Sequence, residues 1–439
     1  MEGHNIPAQV KNTISGLPRT VHLYYDSCYI REFDSNVLKI ISCEDKFYVV
    51  LEKTCFFPEG GGQPGDVGLL YFPNGQLKVV DTQAVGDVIL HIAIPVSGHA
   101  REGELVHGII NWNLRYNMMK HHTCSHLLFS SIKRVIGLEE LVYKGVQIGD
   151  KKARIDVSYG KSISSSQLME IETLSNKVCF ENRKVKSWLV AREEAEHIYG
   201  KELGVTEVTP SGVVHVVEIE GWDVSLCCGT HVSSTAEIGL IKVLDRFRLQ
   251  KGVERIEFSA GEYAYKHYEK AMQTLNELTQ TLKTPTENVV NYVSLLLKER
   301  KLLKEKIEKI RNQVVDFQAT ELLGQAKVFG ELRFLSKVIK DADAQSLKRV
   351  TTTLANKNPW LIIILGSKTK DKAFIVGAAG QKAVEKGINM FDIVKMAAKM
   401  VGGGGGTVKI AQAGGKNPDL LEQALRQCSE AVLSKLRNF

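Results

Sequence analysis

Two short motifs with the same internal spacing, far apart in the sequence, constrain the fold of this chain more than any other feature. In HHTCSHLL, His122 and His126 stand four residues apart, and in SLCCGTHV the same spacing separates Cys227 from His231. On a helix, residues four apart share one face, so both imidazoles of the first motif can reach one ion. Imidazole and thiolate are the ligands that Zn²⁺ prefers in tetrahedral sites. The pattern predicts a fold that brings both motifs together around a metal ion.

Several points about this predicted site stay open at the level of sequence. A histidine beside apolar residues is more often a buried, hydrogen-bonded core residue than a metal ligand. Cys228, next to Cys227, offers a second thiolate, whereas Cys124 and His121 are predicted to pack rather than bind. A complete set of one Cys and three His is typical of a structural zinc, because a catalytic zinc keeps one position open. No catalytic side chain is assigned.

The composition is that of a chain with several domains and a mild positive charge. It has 439 residues, with 57 Lys and Arg against 50 Asp and Glu, a net charge of +7. This balance permits a phosphate-rich partner without requiring one. The sequence lacks an apolar run of membrane-spanning length and an N-terminal signal core, so we expect no membrane association and a cytoplasmic location. The eight cysteines are scattered, which argues against a disulfide framework.

Hydrophobic periodicity predicts an α+β multidomain fold of four segments. Short apolar runs separated by turns come first, and the period becomes helical beyond Asn111. The predicted segments are an N-terminal β-barrel with a glycine-rich motif (1–108), an α+β zinc-binding domain (109–264), a helical or coiled-coil segment (265–326) and a C-terminal α/β domain (327–439).

The third segment carries an apolar heptad repeat. The repeating residues are Val289, Leu296, Leu303, Ile310 and Phe317. Such a seam predicts either an antiparallel helical hairpin or contact between two copies of the chain. A homodimer through this segment or through the C-terminal domain is therefore an open expectation. The basic stretch 298–311 on the same helix fits either a solvated face or a nucleic-acid surface.

The sequence VGGGGGTVKIAQAGG begins at Val401 and contains five consecutive glycines. It lacks the Lys-Ser/Thr ending of a phosphate-binding P-loop. Glycines in such a run provide backbone freedom or permit the close approach of another chain. Either a flexible linker or an ordered glycine-rich motif is compatible with this stretch.

Taken together, these motifs resemble those of a known family. HHTCSHLL and SLCCGTHV resemble the HTAxHLL and CGGTH motifs of the alanyl-tRNA synthetase editing domain and of its free-standing relatives, the AlaX proteins. TCFFPEGGGQPGD is similar to the glycine-rich motif of the barrel that precedes this domain. GGGGGTVKIAQAGG resembles the motif of the DHH-associated domain that ends alanyl-tRNA synthetases. The resemblance runs from about Thr20 to Phe439 and is strongest to the long AlaX type.

The resemblance implies a zinc-dependent hydrolase that edits mischarged tRNA(Ala). Because the sequence begins at the barrel, without a class II aminoacylation core, we expect the enzyme to act in trans. Serine is the first expected amino acid and glycine the second, since a synthetase pocket for alanine rejects neither strongly. One alternative is a tRNA-binding module with a structural zinc and no hydrolase activity. Another is a zinc hydrolase that acts on free aminoacyl esters.

The resemblance also implies roles for particular residues. The expected zinc ligands are His122, His126, Cys227 and His231. The expected contacts to the amino acid, the terminal adenosine or the ester are Gln147, Gly60, Gly61, Gly62 and Gln63. A surface glutamine and a tight barrel turn are the simpler explanations of these five. The expected tRNA contacts are Gly402, Gly403, Gly404, Gly405 and Gly406. The sequence departs from the family at Cys228, which replaces the first glycine of CGGTH, and at Thr407-Val408.

Overall fold

The computed structural model describes residues 6–137, 141–200, 203–205, 212–340 and 342–437. The chain divides into two compact units, Met1–Leu278 and Thr279–Phe439. Each unit has its own core, so the two are described separately. The finer division into four segments remains a prediction from the sequence.

The first unit begins with a closed six-stranded barrel, as the sequence predicts. The elements of this region are α1 (Ala8–Ile14), β1 (Val21–His22), α2 (Leu23–Asp26), β2 (Glu32–Cys43), β3 (Lys46–Leu51), β4 (Lys53–Thr54), β5 (Gly68–Phe72), β6 (Gly75–Val85), β7 (Val88–Gly98) and β8 (Leu105–Ile110). The barrel order is β2-β3-β7-β6-β5-β8, and neighbouring strands are antiparallel. The short strands β1 and β4 pair in parallel.

Strand β7 illustrates why some barrel strands are apolar on both faces. Every residue from Val88 to Ala93 is buried. Leu90 and Ile92 pack with Val10 and Ile14 of α1, which covers this side of the barrel. Ala93 belongs instead to the cluster that includes Val49 and Phe56. Successive side chains of a strand point to opposite faces of the sheet. A strand that is covered on both faces is therefore expected to be mostly apolar at successive positions.

The rest of the first unit has two sheets and a long buried helix. Its elements are α3 (Trp112–Ile136), β9 (Val142–Gln147), β10 (Ala153–Ser158), α4 (Ser165–Phe180), β11 (Val185–Ala191), α5 (Arg192–Tyr199), β12 (Gly204–Val205), β13 (Val213–Ile219), β14 (Asp223–Leu226), a 3₁₀ helix (Thr235–Ile238), β15 (Ile241–Gln250), β16 (Val253–Ala260) and α6 (Glu262–Leu282). The sheet orders are β15-β16-β10-β9 and β11-β13-β14-β12.

Helix α3 is the centre of this region. The Asn111 side chain accepts a hydrogen bond from the backbone N–H of Leu114 at 3.3 Å and caps its N-terminus, and Gly137 follows its last turn. All residues from His121 to Ile132 are buried. A helix that is covered on every side gains its stability from packing rather than from an amphipathic pattern. Polar groups on such a helix must find partners inside the protein.

A buried ion pair joins α3 to the barrel. The side chains of Arg115 and Asp66 are both almost fully buried, and Arg115 Nε lies 2.9 Å from each carboxylate oxygen of Asp66. Arg115 Nη2 also donates to the carbonyl of Cys55 at 2.7 Å. Asp66 Oδ2 accepts a hydrogen bond from the backbone N–H of Phe57 at 2.7 Å. Each charge therefore has several partners, which offsets the cost of removing it from water.

The second unit is a layered α/β structure. Its elements are a 3₁₀ helix (Thr286–Asn288), α7 (Val289–Leu323), β17 (Lys327–Phe329), β18 (Leu332–Val338), α8 (Ala344–Lys357), β19 (Leu361–Lys368), β20 (Ala373–Ala379), α9 (Gln381–Glu385), α10 (Met390–Val401), β21 (Gly404–Gly406), β22 (Ile410–Gly415), a 3₁₀ helix (Pro418–Leu420) and α11 (Leu421–Leu436). The sheet order is β17-β18-β19-β20-β22-β21.

Strand β19 explains the apolar run in WLIIILGS. Leu361, Ile363 and Leu365 pack in the cluster that includes the buried residues of α8. Ile362 and Ile364 pack in the cluster of α10 and α11. A strand with helices on both faces is expected to be apolar at every position.

The heptad residues of α7 are largely exposed within the second unit. Val289 is buried, but Leu296, Leu303 and Ile310 are 41%, 49% and 58% exposed. The side chain of Phe317 lies outside the described residues. The homodimer expected from this seam therefore remains a prediction.

Among the described helices, none combines the length and the apolar content needed to cross a bilayer.

Candidate metal centre

The structure brings the two sequence motifs together. One potential ligand atom from each of His122, His126, Cys227 and His231 lies within 4.8 Å of the other three, and all four residues are buried. Cys227 Sγ lies 3.2 Å from His122 Nε2. The ring centroids of His122 and His231 are 4.6 Å apart. Four soft or borderline donors in this arrangement can hold a metal ion.

The helical spacing explains the first pair. His122 and His126 are one turn apart on α3, with ring centroids 5.6 Å apart and an interplanar angle of 26°. Cys124, between them, is fully buried in the apolar cluster of this region. His121 Nε2 accepts a hydrogen bond from the backbone N–H of Ala260 at 3.1 Å. These two neighbours therefore have packing roles.

A loop after β14 supplies the second pair. The backbone N–H of Cys227 donates to the carbonyl of His215 at 3.0 Å, which anchors the start of the loop. Gly229 then passes directly over the ring of His122. A Cβ at Gly229 would lie 2.0 Å from His122 Cε1, so a side chain there would displace the ring. The glycine of the CGT sequence is required by this close approach.

Each of the three imidazoles is held through its Nδ1 atom by a different kind of partner. His122 Nδ1 lies 2.8 Å from Gln63 Oε1. His231 Nδ1 lies 3.2 Å from the hydroxyl of Thr123, and that hydroxyl donates to the carbonyl of Met119. His126 Nδ1 lies 3.3 Å from the carboxylate of Asp223. Bonds of this kind fix the ring and leave Nε2 for a metal ion.

The electrostatics of the four residues favour a thiolate. Burial alone would raise the pKa of the Cys227 thiol, but the charges and hydrogen bonds of His122 and His126 hold that pKa well below its usual value. Burial also opposes the charged form of His126, yet Cys227 and Asp223 raise its pKa to about 10. Burial and the charge of His122 lower the pKa of His231 to about 3. This arrangement has a thiolate beside neutral and cationic imidazoles. A metal cation could take the place of the imidazole protons, because it binds thiolate and neutral imidazole.

One structural observation, independent of the sequence motifs, indicates that these residues can bind a metal ion. His231 Nε2 is buried without a hydrogen-bond partner, and His231 belongs to the four-residue cluster. An orphaned acceptor of this kind is costly unless something binds it. The four-residue cluster includes Cys227, whereas the half-buried Cys228 is not part of it. The arrangement thus offers three imidazoles and one thiolate.

The predicted substrate contacts lie in two places. Gln63 is fully buried beside the four-residue cluster. It follows directly after the turn formed by Gly60, Gly61 and Gly62. Gln147 lies at the end of β9, where its Oε1 accepts a hydrogen bond from Arg154 Nε at 2.8 Å. This glutamine lines a surface cavity of about 440 Å³.

The C-terminal glycines form an ordered edge of the sheet in the second unit. Gly404 to Gly406 constitute β21, which pairs with β22. At Gly404 a Cβ would lie 2.4 Å from the carbonyl of Gln412, whereas at Gly403 and Gly405 no atom lies within 4 Å. A cavity of about 500 Å³ adjoins this edge and is lined by Lys372 and Lys416 among others. The motif is therefore part of the sheet rather than a linker.

Sequence reasoning missed the residues that hold the metal ligands. Asp223 lies four positions before Cys227, and Thr123 directly follows His122. The alternation of Asp223, Ser225 and Cys227 along an extended segment is a usable signal, because alternate residues of a strand share a face. Nothing in the local sequence links Gln63 to His122.

Three family profiles match separate parts of the chain. The profile described as tRNA synthetases class II (A) matches residues 8–114. The Threonyl and Alanyl tRNA synthetase second additional domain matches residues 214–257, which include Cys227 and His231. The DHHA1 domain matches residues 331–434.

Comparison of most of this chain with known proteins finds alanine–tRNA ligases. The chain is 35% identical over 413 residues to the alanine–tRNA ligase of Pyrococcus abyssi, covering 94% of this chain and 44% of that protein. The corresponding protein of Pyrococcus furiosus is 36% identical over 369 residues, covering 84% of this chain and 39% of its own length. That of Thermococcus kodakarensis is 35% identical over 420 residues, covering 95% and 44%. This chain carries a Threonyl and Alanyl tRNA synthetase second additional domain and a DHHA1 domain, and it is similar over most of its length to part of the alanine–tRNA ligases.

The order of these matches agrees with the order of the motifs along the chain. The chain spans about 44% of the length of the Pyrococcus abyssi protein, so that protein's whole activity does not transfer to it. The similarity includes the region that supplies Cys227 and His231 and the C-terminal DHHA1 domain.

Proposed function

We propose that this chain is a zinc-dependent hydrolase that removes the wrong amino acid from mischarged tRNA(Ala) in trans. Seryl-tRNA(Ala) is the first proposed substrate and glycyl-tRNA(Ala) the second. The observation that carries the proposal is the buried cluster of His122, His126, Cys227 and His231 in a chain that aligns with alanine–tRNA ligases over 94% of its length. The proposed location is the cytoplasm, where mischarged tRNA is available.

Zinc is the proposed ion because of the donor set. Three imidazoles and one thiolate suit Zn²⁺ better than the oxygen-preferring Mg²⁺ or Ca²⁺. His122, His126, His231 and Cys227 would hold the ion, with Gln63, Thr123 and Asp223 fixing the three rings. When bound, zinc supplies Lewis acidity toward an ester carbonyl or a water molecule.

The chemistry requires that the chain orient the terminal ribose of the tRNA near this cluster. The ester to be cleaved joins the amino acid to one ribose hydroxyl, and the neighbouring 2′- or 3′-hydroxyl would carry the proton. Selection of serine over alanine requires a polar partner for the serine hydroxyl, because alanine would leave that partner unpaired. Gln147 is the proposed partner, and the loop of Gly60, Gly61 and Gly62 is proposed to lie near the terminal adenosine.

The test is deacylation of Ser-tRNA(Ala), Gly-tRNA(Ala) and Ala-tRNA(Ala) by the purified full chain, before and after chelation. We expect release of serine or glycine, little release of alanine and loss of activity on chelation. The variant H122A/H126A should be inactive, whereas Cys43→Ala, which changes a cysteine outside the cluster, should be active. Absence of deacylation by the metal-loaded chain would refute the proposal.

A second candidate function rests on the number of ligands. Four protein ligands can saturate a tetrahedral zinc, which is typical of a structural site. In that case the chain binds tRNA(Ala) without hydrolysing the ester. The two functions are separated by the same assay, since a binding module would retain tRNA affinity and release no amino acid. Equal hydrolysis of free seryl esters would instead favour a small-substrate hydrolase.

The C-terminal unit is the proposed source of tRNA affinity. The glycine edge formed by Gly402, Gly403, Gly404, Gly405 and Gly406 exposes backbone groups beside a cavity that Lys372 and Lys416 line. Backbone amides and lysines are common partners of phosphate and sugar groups. Binding of this kind weakens steeply with salt. A gel-shift titration with tRNA(Ala) at increasing salt tests this role.

A further inference from the structure

We infer that Gln63 is a positioning residue of the metal centre, whose side-chain amide holds the ring of His122 with Nε2 toward the other ligands. The inference rests on the proposed metal centre and assigns it a component from the barrel. It differs from the expectation that Gln63 contacts the substrate.

The orientation of the amide follows from its partners. Gln63 is fully buried, and its Oε1 lies 3.1 Å from the backbone nitrogen of Thr230. A backbone N–H can only donate, so the atom that faces it must be the amide oxygen. The amide nitrogen then faces the hydroxyl of Thr230 at 2.8 Å. The protein environment thus determines which end of the amide is which.

The protonation of His122 follows from the amide. The same oxygen of Gln63 lies 2.8 Å from His122 Nδ1. Because an amide oxygen only accepts, Nδ1 must carry a hydrogen, and Nε2 is then the nitrogen whose lone pair an ion can bind. His122 Nε2 is the atom that lies 3.2 Å from Cys227 Sγ. Gln63 therefore selects the tautomer that can bind an ion at the cluster.

The glycine-rich turn delivers this amide from the barrel. Gly60 and Gln63 exchange two backbone hydrogen bonds, of 3.0 and 2.9 Å. Gly62 has φ of +73°, and a Cβ there would lie 2.3 Å from the carbonyl of Val146. The carbonyl of Gly62 also accepts a hydrogen bond from the backbone N–H of Ile148 at 2.7 Å. The turn is thus fixed against β9, and its position determines where Gln63 lies.

The first test measures metal affinity rather than activity. Zn²⁺ binding to the full chain is followed by competition with a chromophoric chelator, for wild type, Gln63→Met and Gln63→Glu. Partners that hold metal-bound histidines typically contribute about 10- to 100-fold in affinity, and we expect a loss of this size for Gln63→Met. Gln63→Glu keeps an acceptor toward His122 and Thr230 and should retain most of the affinity. Gln83→Met, a change of another barrel glutamine, should bind like wild type.

A spectroscopic signature separates positioning from packing. With Co²⁺ in place of Zn²⁺, the visible absorption bands report ligand geometry, and Gln63→Met should shift them while Gln83→Met does not. Wild-type affinity and an unchanged Co²⁺ spectrum in Gln63→Met, with only the melting temperature of the metal-free chain lowered, would overturn the inference. If wild type itself binds no Zn²⁺, the proposed metal centre fails and the inference fails with it.

The second test moves the turn without touching the amide. Gly62→Ala should lower Zn²⁺ affinity, because the turn must shift away from Val146. Gly86→Ala is the matched control: it also has positive φ, of +60°, but no atom lies within 4 Å of a Cβ there. Equal Zn²⁺ affinity in the two glycine variants would contradict a role of the turn in placing Gln63.

Discussion

The carboxylate of Asp223 lies 3.3 Å from Nδ1 of His126 and is nearly as buried as the histidine. It also accepts hydrogen bonds from the hydroxyls of Ser130 at 2.5 Å and Ser225 at 2.9 Å. Burial opposes ionisation of Asp223, but these bonds and the charge of His126 lower its pKa. A charged carboxylate therefore holds the ring of His126, one of the four residues of the candidate metal centre.

Replacing Asp223 should weaken metal binding. Asp223→Ala removes the partner of His126 Nδ1, and we expect a loss of about 10- to 100-fold in Zn²⁺ affinity. Asp223→Asn keeps an acceptor but removes the charge, so its loss should be smaller. Chelator competition measures both, and Asp245→Ala, which removes an exposed carboxylate on β15, serves as the control. Unchanged affinity in Asp223→Ala would show that this carboxylate does not support the site.

Removing Arg115 should destabilise the first unit. Arg115→Met leaves the Asp66 carboxylate buried without its cation, and breaking such a pair costs about 3–5 kcal/mol. Urea unfolding of the first unit measures the change in free energy. Lys39→Met breaks an ion pair with Glu102 whose side chains are 33% and 45% exposed, so its cost should stay below about 1 kcal/mol. Similar costs for the two variants would contradict the difference in burial as the cause.

The first unit should lose stability as the pH falls from about 6.5 to about 4. Burial lowers the pKa of His91 from 6.5 to about 4. The His91 ring forms hydrogen bonds with the hydroxyl of Thr54 and the carbonyl of Val49. The unfolded chain therefore binds a proton that the folded chain excludes. His91 therefore contributes about 3 kcal/mol to the free energy of unfolding above pH 6.5. This contribution is lost as the pH falls through the pKa of His91 in the folded chain.

The measurement for this prediction is urea unfolding with a chelator present, at several pH values. His91→Gln should have a shallower slope of unfolding free energy against pH in this range. The difference between wild type and His91→Gln isolates this residue from other buried histidines. A His91→Gln slope equal to that of wild type would refute the assignment.

Two neighbouring glycines of β21 should respond differently to alanine. Gly404→Ala places a methyl group against Gln412 and Ala398 and should lower the melting temperature of the second unit. Gly405→Ala meets no atom within 4 Å and should fold like wild type. If the glycine edge binds tRNA, Gly405→Ala should nevertheless weaken tRNA(Ala) binding. Wild-type tRNA affinity in Gly405→Ala would argue against this edge as a contact surface.

Local patterns in the sequence account for part of this structure. The barrel was predictable because its strands are short apolar runs between turns, and α3 because its apolar residues follow a helical period. The equal spacing of His122 and His126, and of Cys227 and His231, indicates that the four residues can share one ion, and the family resemblance names them as the expected ligands. In each case the signal lies within a few residues of the feature that it predicts.

Long-range contacts account for the rest. The resemblance implies that Gln63 contacts the substrate, and nothing near it in the sequence indicates His122. The turn against β9 brings the two residues together in the fold. The heptad residues of α7 predict a partner helix, but exposure of Leu303 and Ile310 does not identify that partner. Periodicity gives the face of an element, whereas its neighbour depends on the tertiary fold.

The distance in sequence between the candidate ligands has a consequence for the stability of the chain. His122 and Cys227 are 105 residues apart, so an ion bound to both acts as a removable cross-link that closes a long loop. An ion that binds the folded but not the unfolded chain stabilises it in proportion to the logarithm of its concentration. The supply of metal in the cell would then determine how much of the newly made chain survives proteolysis.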